Sequence, residues 1–159
     1  MEDFEDQTIS MEKSGSATTI DSMKITGISS QVFDYDGAAN KYSGIVTMDT
    51  GFQIFENSTI QLFDLPRRGT EIYLEFNYKA SAEVIAGIYP ITGTIVTGVP
   101  IVNFFPTNGV WKKAYVSLKE DVNNPEYLGF DFRVFFSSRT NTDNVKPQLF
   151  FDNIKLVHF

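Results

Sequence analysis

Asp152 is the residue of this sequence that most needs chemically specific surroundings. It lies in the strongly apolar segment QLFFDNIKLVHF at 148–159. In strict strand alternation it is in phase with Phe150, Ile154 and Leu156, which would point its carboxylate towards the apolar face. Burying an uncompensated charge costs more than one strand can supply. We therefore expect either a bulge that turns Asp152 outwards or compensating partners. Backbone N–H groups, cationic side chains and a calcium ion, which prefers oxygen ligands, are the alternatives.

Four aromatic residues, Tyr73, Trp111, Tyr115 and Phe135, lie in segments with strand-like alternation. Aromatic rings bind sugars because the apolar C–H surface of the sugar packs on the ring while its hydroxyls form hydrogen bonds around the rim. Trp111, Tyr115 and Tyr73 are therefore candidate ligand-binding residues. The alternative is that Trp111 packs into a sheet edge and that the two tyrosines only cover an outer surface.

The sequence contains no residue group that marks a catalytic site. Cysteine is absent, and the only histidine, His158, has no serine or cysteine signature near it. Glu75, Glu83 and Asp131 are carboxylates of the type that cleaves glycosidic bonds, but exposed carboxylates on strands are ordinary. We predict that the protein has no catalytic residues and is not an enzyme.

Charge and hydropathy argue against several partners. The 159-residue chain carries a formal net charge of −7, whereas nucleic acids and anionic membrane surfaces bind clustered lysine and arginine. No apolar run of about 18 residues is present to span a bilayer. The first residues, MEDFEDQ, are acidic, so no export signal is visible. The chain is expected to be cytoplasmic or the mature part of an exported protein.

Short alternating segments separated by polar turns, and no helical periodicity with caps, predict an all-β fold. The pattern favours a single domain, residues 1–159, built as a two-sheet antiparallel β-sandwich or jelly roll. Residues 56–58 read as a turn. The residues expected in the core are Leu74, Phe76, Phe132, Val134, Ile154 and Leu156. The main predicted strands are 23–26, 42–48, 52–55, 59–65, 70–80, 83–91, 101–105, 110–118, 127–138 and 148–159.

The strand succession in the C-terminal part resembles the galactose-binding-like jelly roll shared by many carbohydrate-binding modules. The resemblance is closest to uncharacterised surface lipoproteins of Bacteroidetes and covers residues 43–159, with FED at 4–6 as the one match earlier in the chain. The segments that carry it are YLEFNYK at 73–79, WKKAYVSL at 111–118, FRVFF at 132–136 and LFFDNIKLV at 149–157.

The resemblance implies a structural calcium ion where the first and last strands meet. The ligands would be Glu5, with Asp3 as its substitute, and Asp152. The simpler alternative is that Asp152 accepts hydrogen bonds from the backbone of a neighbouring loop.

The resemblance also implies a non-catalytic binding domain that is exported, as a cell-surface or outer-membrane lipoprotein or into the periplasm. Its expected partner is a glycan, bound by aromatic stacking rather than by charge, with loops 92–98, 119–126 and 139–147 forming the rim at one end. A lipid anchor upstream would be its one membrane attachment, and no nucleic acid is expected. Two alternatives stay open: an envelope structural or adhesion protein with protein partners, and a small glycan-active enzyme.

Overall fold

Two antiparallel β-sheets pack face to face in the computed structural model, which describes residues 2–34, 40–67, 69–95 and 97–159. One sheet has six strands in the order β1-β4-β10-β6-β7, with β8 also paired to β6, and the other has the order β2-β3-β11-β5-β9. The strands are β1 Met11–Lys13, β2 Lys24–Thr26, β3 Ser43–Thr47, β4 Gly51–Thr59, β5 Ile72–Ala80, β6 Val84–Thr92, β7 Thr94–Ile95, β8 Val99–Phe104, β9 Lys112–Ser117, β10 Asp131–Thr142 and β11 Gln148–His158.

The predicted all-β, two-sheet antiparallel sandwich is confirmed. Helix is limited, among the described residues, to one α-helical turn, α1 at Lys119–Val122, and a 3₁₀ turn at Pro125–Tyr127. None of the helices in the described ranges has the length and apolarity that a bilayer crossing requires.

The core lies between the two sheets, where the inward-facing residues of β5, β10 and β11 meet. The ring of Phe136 contacts those of Phe76 and Phe151, with centroid distances of 4.8 Å and 4.9 Å. The predicted core residues Leu74, Phe76, Phe132, Val134 and Ile154 are buried, whereas Leu156, near the end of its strand, is half-buried. Alternation therefore identifies the inward faces of these long strands correctly.

Two boundaries around β4 differ from the sequence prediction. The predicted turn at 56–58 lies inside β4. Of the predicted strand 59–65, only Thr59 belongs to a strand, as the last residue of β4, and beyond it one isolated bridge pairs Phe63 with Phe132. Asn57 is buried, and its side-chain oxygen is satisfied by a hydrogen bond from the Met23 N–H at 2.8 Å. That partner is 34 residues away, so the local sequence does not reveal it.

The three loops expected to form one rim do not lie together: two are at one end of the sandwich and the third is at the other. Ile91 of β6 pairs with Asp131, which places loops 92–98 and 119–126 near the start of β10. Thr142 pairs with Gly51 at the other end of that strand, about 36 Å away for 12 residues. Loop 139–147 therefore cannot share a rim with the other two, and this prediction is wrong.

Candidate functional site

A groove of about 430 Å³ crosses the outer face of the six-stranded sheet. Strands β4, β10 and β6 form its floor, and segments 15–18 and 97–100 form its two walls. Segment 15–18 stays beside β4 because the N–H groups of Thr19 and Ile20, which follow it, both bond to the Ile54 carbonyl. We refer to this depression as the groove.

Two packed aromatic rings form the floor of the groove. Phe135 of β10 lies opposite Gly87 of β6, and its ring centroid is 4.9 Å from that of Tyr89. A Cβ atom on Gly87 would lie 2.5 Å from Phe135 Cε1, and one on Gly98 would lie 2.9 Å from Tyr89 Cε1. The floor therefore needs glycine at both positions, because any side chain there would displace a ring.

Polar side chains line the groove around these rings. Ser137 of β10 lies opposite Glu56 of β4, and Arg139, two residues further along, is exposed. The Tyr89 hydroxyl donates a hydrogen bond to the Glu56 carboxylate. Burial and the nearby Glu56 charge both raise the pKa of Tyr89, so it stays a neutral donor. The groove thus offers a fixed acceptor, a hydroxyl and a guanidinium to a ligand.

The outer face of the five-stranded sheet carries a second depression, of about 530 Å³. We call it the tryptophan pocket, since Trp111 lies in its wall, with ring centroids 5.2 Å from Phe33 and 6.3 Å from Phe150. The other described residues that line it are Asn40, Glu75, Asn77, Lys112, Lys113, Asn153 and Lys155.

The structure places all three predicted ligand-binding residues on this same outer face, but they are not equivalent. Trp111 lines the pocket, whereas Tyr115 and Tyr73 lie further along β9 and β5. Tyr115 is 60% exposed, and the Lys113 ammonium lies 5.2 Å from the centre of its ring. Tyr73 is half-buried and donates a hydrogen bond to Glu71. Their role in ligand binding stays a prediction.

Asp152 faces the outer side of its sheet and not the core, so strict alternation is wrong here. Asn153 adopts a φ of 50° in a bulge between Asp152 and Lys155. Because of this bulge, Ile154 faces the core as Phe151 does, although the two residues are three positions apart. The bulge that was one sequence alternative is confirmed. Alternation alone could not place it, because the bulge is set by pairing with β5.

Asp152 is nevertheless completely buried, and its carboxylate accepts two hydrogen bonds. Its carboxylate accepts from the Ser43 hydroxyl at 2.6 Å and from the Asn153 N–H at 2.7 Å. Burial raises its pKa to about 6; the charges of Glu5 and Asp3 act in the same direction, and the two hydrogen bonds act against it. No described cationic side chain forms an ion pair with it.

The first and last segments meet as predicted, through paired backbone hydrogen bonds between Glu2 and Ile154 at 3.0 Å and 2.8 Å. One oxygen of Glu5 accepts the N–H groups of Lys41 and Tyr42. Within the described ranges no three carboxylate or histidine side chains gather as a metal site. Calcium at Glu5, Asp3 and Asp152 therefore stays a prediction, and the hydrogen bonds already present give Asp152 much of the compensation it needs.

Sequence reasoning missed most of the groove. Glu56 was assigned to a turn, and Tyr89, Ser137 and Arg139 were not singled out, although Phe135 was noted as a strand aromatic. The available signal was the glycine at 87 inside a predicted strand, which often marks a close approach of other groups.

Comparisons with known proteins identify the fold class. No protein-family model matches the sequence, and no curated protein matches it. Similar solved structures include TmCBM61 in complex with β-1,4-galactotriose, with a TM-score of 0.57 and 16% identity over 99% of this chain and 94% of that chain. A family 11 carbohydrate-binding module from Clostridium thermocellum, in complex with a β-1,3-1,4-mixed-linked tetrasaccharide, has a TM-score of 0.58 and 13% identity over 99% and 93%.

A family 30 carbohydrate-binding module of a Clostridium thermocellum cellulosomal cellulase has a TM-score of 0.58 and 17% identity over 93% of this chain and 86% of that chain. At these identities the likeness concerns the fold. The chain has the β-sandwich fold of carbohydrate-binding modules, as the sequence resemblance implied.

Proposed function

We propose that this protein is a non-catalytic domain that binds a glycan in the groove. The observation that carries the proposal is a groove on an open sheet face, with an aromatic floor and with Glu56, Ser137 and Arg139 around it. Sites of this size, apolar beneath and polar at a few fixed points, are typical of small-ligand binding. Two of the structural neighbours are described as complexes with oligosaccharides, which supports the same reading.

The groove residues have complementary roles towards sugar hydroxyls. Arg139 donates and the Glu56 carboxylate accepts, and hydrogen bonds to charged groups are worth about 1.5–3 kcal/mol each. The Tyr89 hydroxyl holds one Glu56 oxygen in place, so less conformational freedom is lost on binding. The rings of Tyr89 and Phe135 are almost buried and shape the floor, while Ile85 and Pro100 add apolar surface beside them.

A binding role without hydrolysis is supported by the carboxylates on this sheet. Most glycoside hydrolases use two carboxylates that flank the scissile bond, and Glu56 is the one carboxylate among the described groove residues. Asp131 and Glu83 lie at opposite ends of the β6–β10 pairing, because Asp131 pairs with Ile91 and Glu83 precedes the start of β6. A turnover assay on polysaccharides tests this part: release of reducing ends would overturn it.

We place the domain outside the cytoplasm, as part of a surface lipoprotein similar to those of Bacteroidetes, with a lipid anchor upstream. The carbohydrate-binding-module fold supports a place outside the cytoplasm, and the sequence resemblance is the support for the lipoprotein and its anchor. A signal peptide ending in cysteine just before Met1 in the genomic sequence is the expected observation. The alternative, envelope adhesion through protein partners, predicts that no glycan binds.

The binding test is calorimetry against neutral oligosaccharides, including β-1,4-galactotriose and β-1,3-1,4-mixed-linked glucans. Arg139→Gln and Glu56→Gln should each weaken binding about tenfold, since each removes one charged hydrogen-bond partner. Lys146→Gln is the matched control, since its side chain is exposed in the loop that joins β10 to β11. Binding unchanged by both groove substitutions would contradict the proposed site.

A further inference from the structure

The tryptophan pocket carries positive charge on a chain whose net charge is −7. Among the described residues that line it, Lys113 and Lys155 lie on the outer face with a single carboxylate, Glu75. Lys112, by contrast, pairs with the core residue Tyr78 and lies in phase with the buried Ala114. Glu75 Oε1 is 2.7 Å from Lys113 Nζ, and Lys155 is its neighbour across the sheet in the β5–β11 register. None of the ion pairs between described residues includes Lys112 or Lys155. One carboxylate therefore leaves an excess of cationic charge facing solvent.

Neutral groups that can donate hydrogen bonds also belong to the pocket and its wall. The Trp111 indole N–H is buried and has no hydrogen-bond partner, an arrangement that is rare in folded proteins and costs free energy. Asn77 and Asn153 add side-chain amides to the same lining. Asn153 is there because of the β11 bulge, which gives it a φ of 50°. An acceptor oxygen in the pocket would satisfy several of these groups together.

A further cation lies beside the indole. The Lys79 ammonium is 5.2 Å from the Trp111 ring centroid and 4.6 Å from that of Phe150, and it donates to the Ser30 carbonyl at 2.8 Å. Asp152, which lies opposite Asn77 in the sheet, is a buried carboxylate on the same outer face. Its oxygens already accept hydrogen bonds from the Ser43 hydroxyl and the Asn153 N–H. The charged groups that remain available around Trp111 are therefore mainly cationic.

We propose that the tryptophan pocket is a second binding site, which takes the anionic group of an acidic sugar. Lys113 and Lys155 would pair with a carboxylate or sulfate, as ammonium groups do with anions. The Trp111 ring would pack against the sugar ring, and its buried N–H would reach a sugar or anion oxygen after a small rotation of the indole. This site does not depend on the groove, which lies on the opposite sheet, and here charge contributes to glycan affinity, contrary to the expectation from the sequence.

The test is calorimetry on the intact chain with trigalacturonate as the probe and β-1,4-galactotriose as its neutral counterpart. Trigalacturonate should bind at about 0.01 M ionic strength and bind more weakly at about 0.15 M, because salt screens exposed charges. Lys155→Gln should weaken trigalacturonate binding about tenfold, and Trp111→Phe, which keeps an aromatic ring without the N–H, should weaken it severalfold. Lys146→Gln is the matched lysine control and should leave it unchanged.

Glu75→Gln gives the sharper readout, because it should strengthen trigalacturonate binding by removing the one carboxylate in the described lining. A purely structural role for Glu75 would not produce a gain. A sulfated galactose trisaccharide in the same series tells which anion is preferred, and binding of either supports the site. The proposal is overturned if neither acidic sugar binds at low salt, or if Lys155→Gln and Trp111→Phe leave their binding unchanged. It is also overturned if Arg139→Gln abolishes that binding, since the acidic sugar would then occupy the groove.

Discussion

The Ser43 hydroxyl donates a hydrogen bond to the Asp152 carboxylate across 2.6 Å, although the two residues are 109 positions apart. The same hydroxyl accepts the Phe33 N–H at 2.9 Å. Ser43 therefore ties the last strand to the segment before β3, and it compensates a carboxylate that no described cation pairs with. Because burial raises the pKa of Asp152 more than this hydrogen bond lowers it, the stability of the sandwich should depend on the protonation of this one group.

The raised pKa of Asp152, about 6 against an ordinary value near 4, sets the sign of that dependence. The folded state holds the proton more tightly than the unfolded state, so this group favours folding below about pH 4. As pH rises through about 6, the free energy of unfolding should fall by at most about 3 kcal/mol because this contribution is lost. Asp152→Asn should make the free energy of unfolding less dependent on pH between about 4 and 6. Urea unfolding at about pH 4 and pH 7 measures it, with the exposed Asp6→Asn as control. An equal slope in wild type and Asp152→Asn would contradict the assignment.

Calcium at the junction of the two termini gives a separate prediction. If an ion bridges Glu5 and Asp152, the melting temperature should fall in chelator and recover with calcium. Binding to the folded state alone adds about 2.7 kcal/mol at a hundredfold excess over Kd. Glu5→Gln should remove the response. A melting temperature that neither chelator nor calcium changes would leave the hydrogen bonds of Ser43 and Asn153 as the whole compensation.

Core truncation tests the packing between the sheets. Phe76 and Phe132 are fully buried on facing strands, so replacing either with alanine should cost about 3–5 kcal/mol of unfolding free energy. Phe105→Ala is the matched control, because Phe105 is 72% exposed and should lose little. Denaturant unfolding gives the comparison, and a loss below about 1 kcal/mol for both core variants would mean that the faces are assigned wrongly.

Alternation predicted the inward faces well because every second side chain of a regular long strand faces the core. Phe76, Phe132 and Val134 could be placed from β5 and β10 alone. Asp152 could not, since its bulge arises where β11 meets Asn77 and Glu75 of β5. The groove was equally hidden: Glu56 and Ser137 become neighbours only through the β4–β10 register, which joins segments about eighty residues apart. Pairing order and register are non-local, and no periodicity within one segment encodes them.

The wall of the groove provides a substitution that should act on binding more than on folding. A Cβ on Gly98 would press on Tyr89 at 2.9 Å, so Gly98→Ala should shift that ring and weaken glycan binding. Tyr115→Ala, on the outer face of the other sheet, is the comparison and should leave groove binding unchanged. Thermal unfolding of both variants checks that the fold persists. Full glycan affinity in Gly98→Ala would show that the Tyr89 position is unimportant.

The measurement that tests glycan binding in the groove most directly is amide NMR during titration with the neutral oligosaccharide that calorimetry selects. We expect shifts confined to the groove, at Glu56, Tyr89, Ser137 and Arg139, and their loss in Arg139→Gln. Amides of Tyr115 and Lys155, on the opposite sheet, should not move. Shifts centred on the tryptophan pocket instead, or no shift with any neutral glycan of the panel, would contradict glycan binding in the groove.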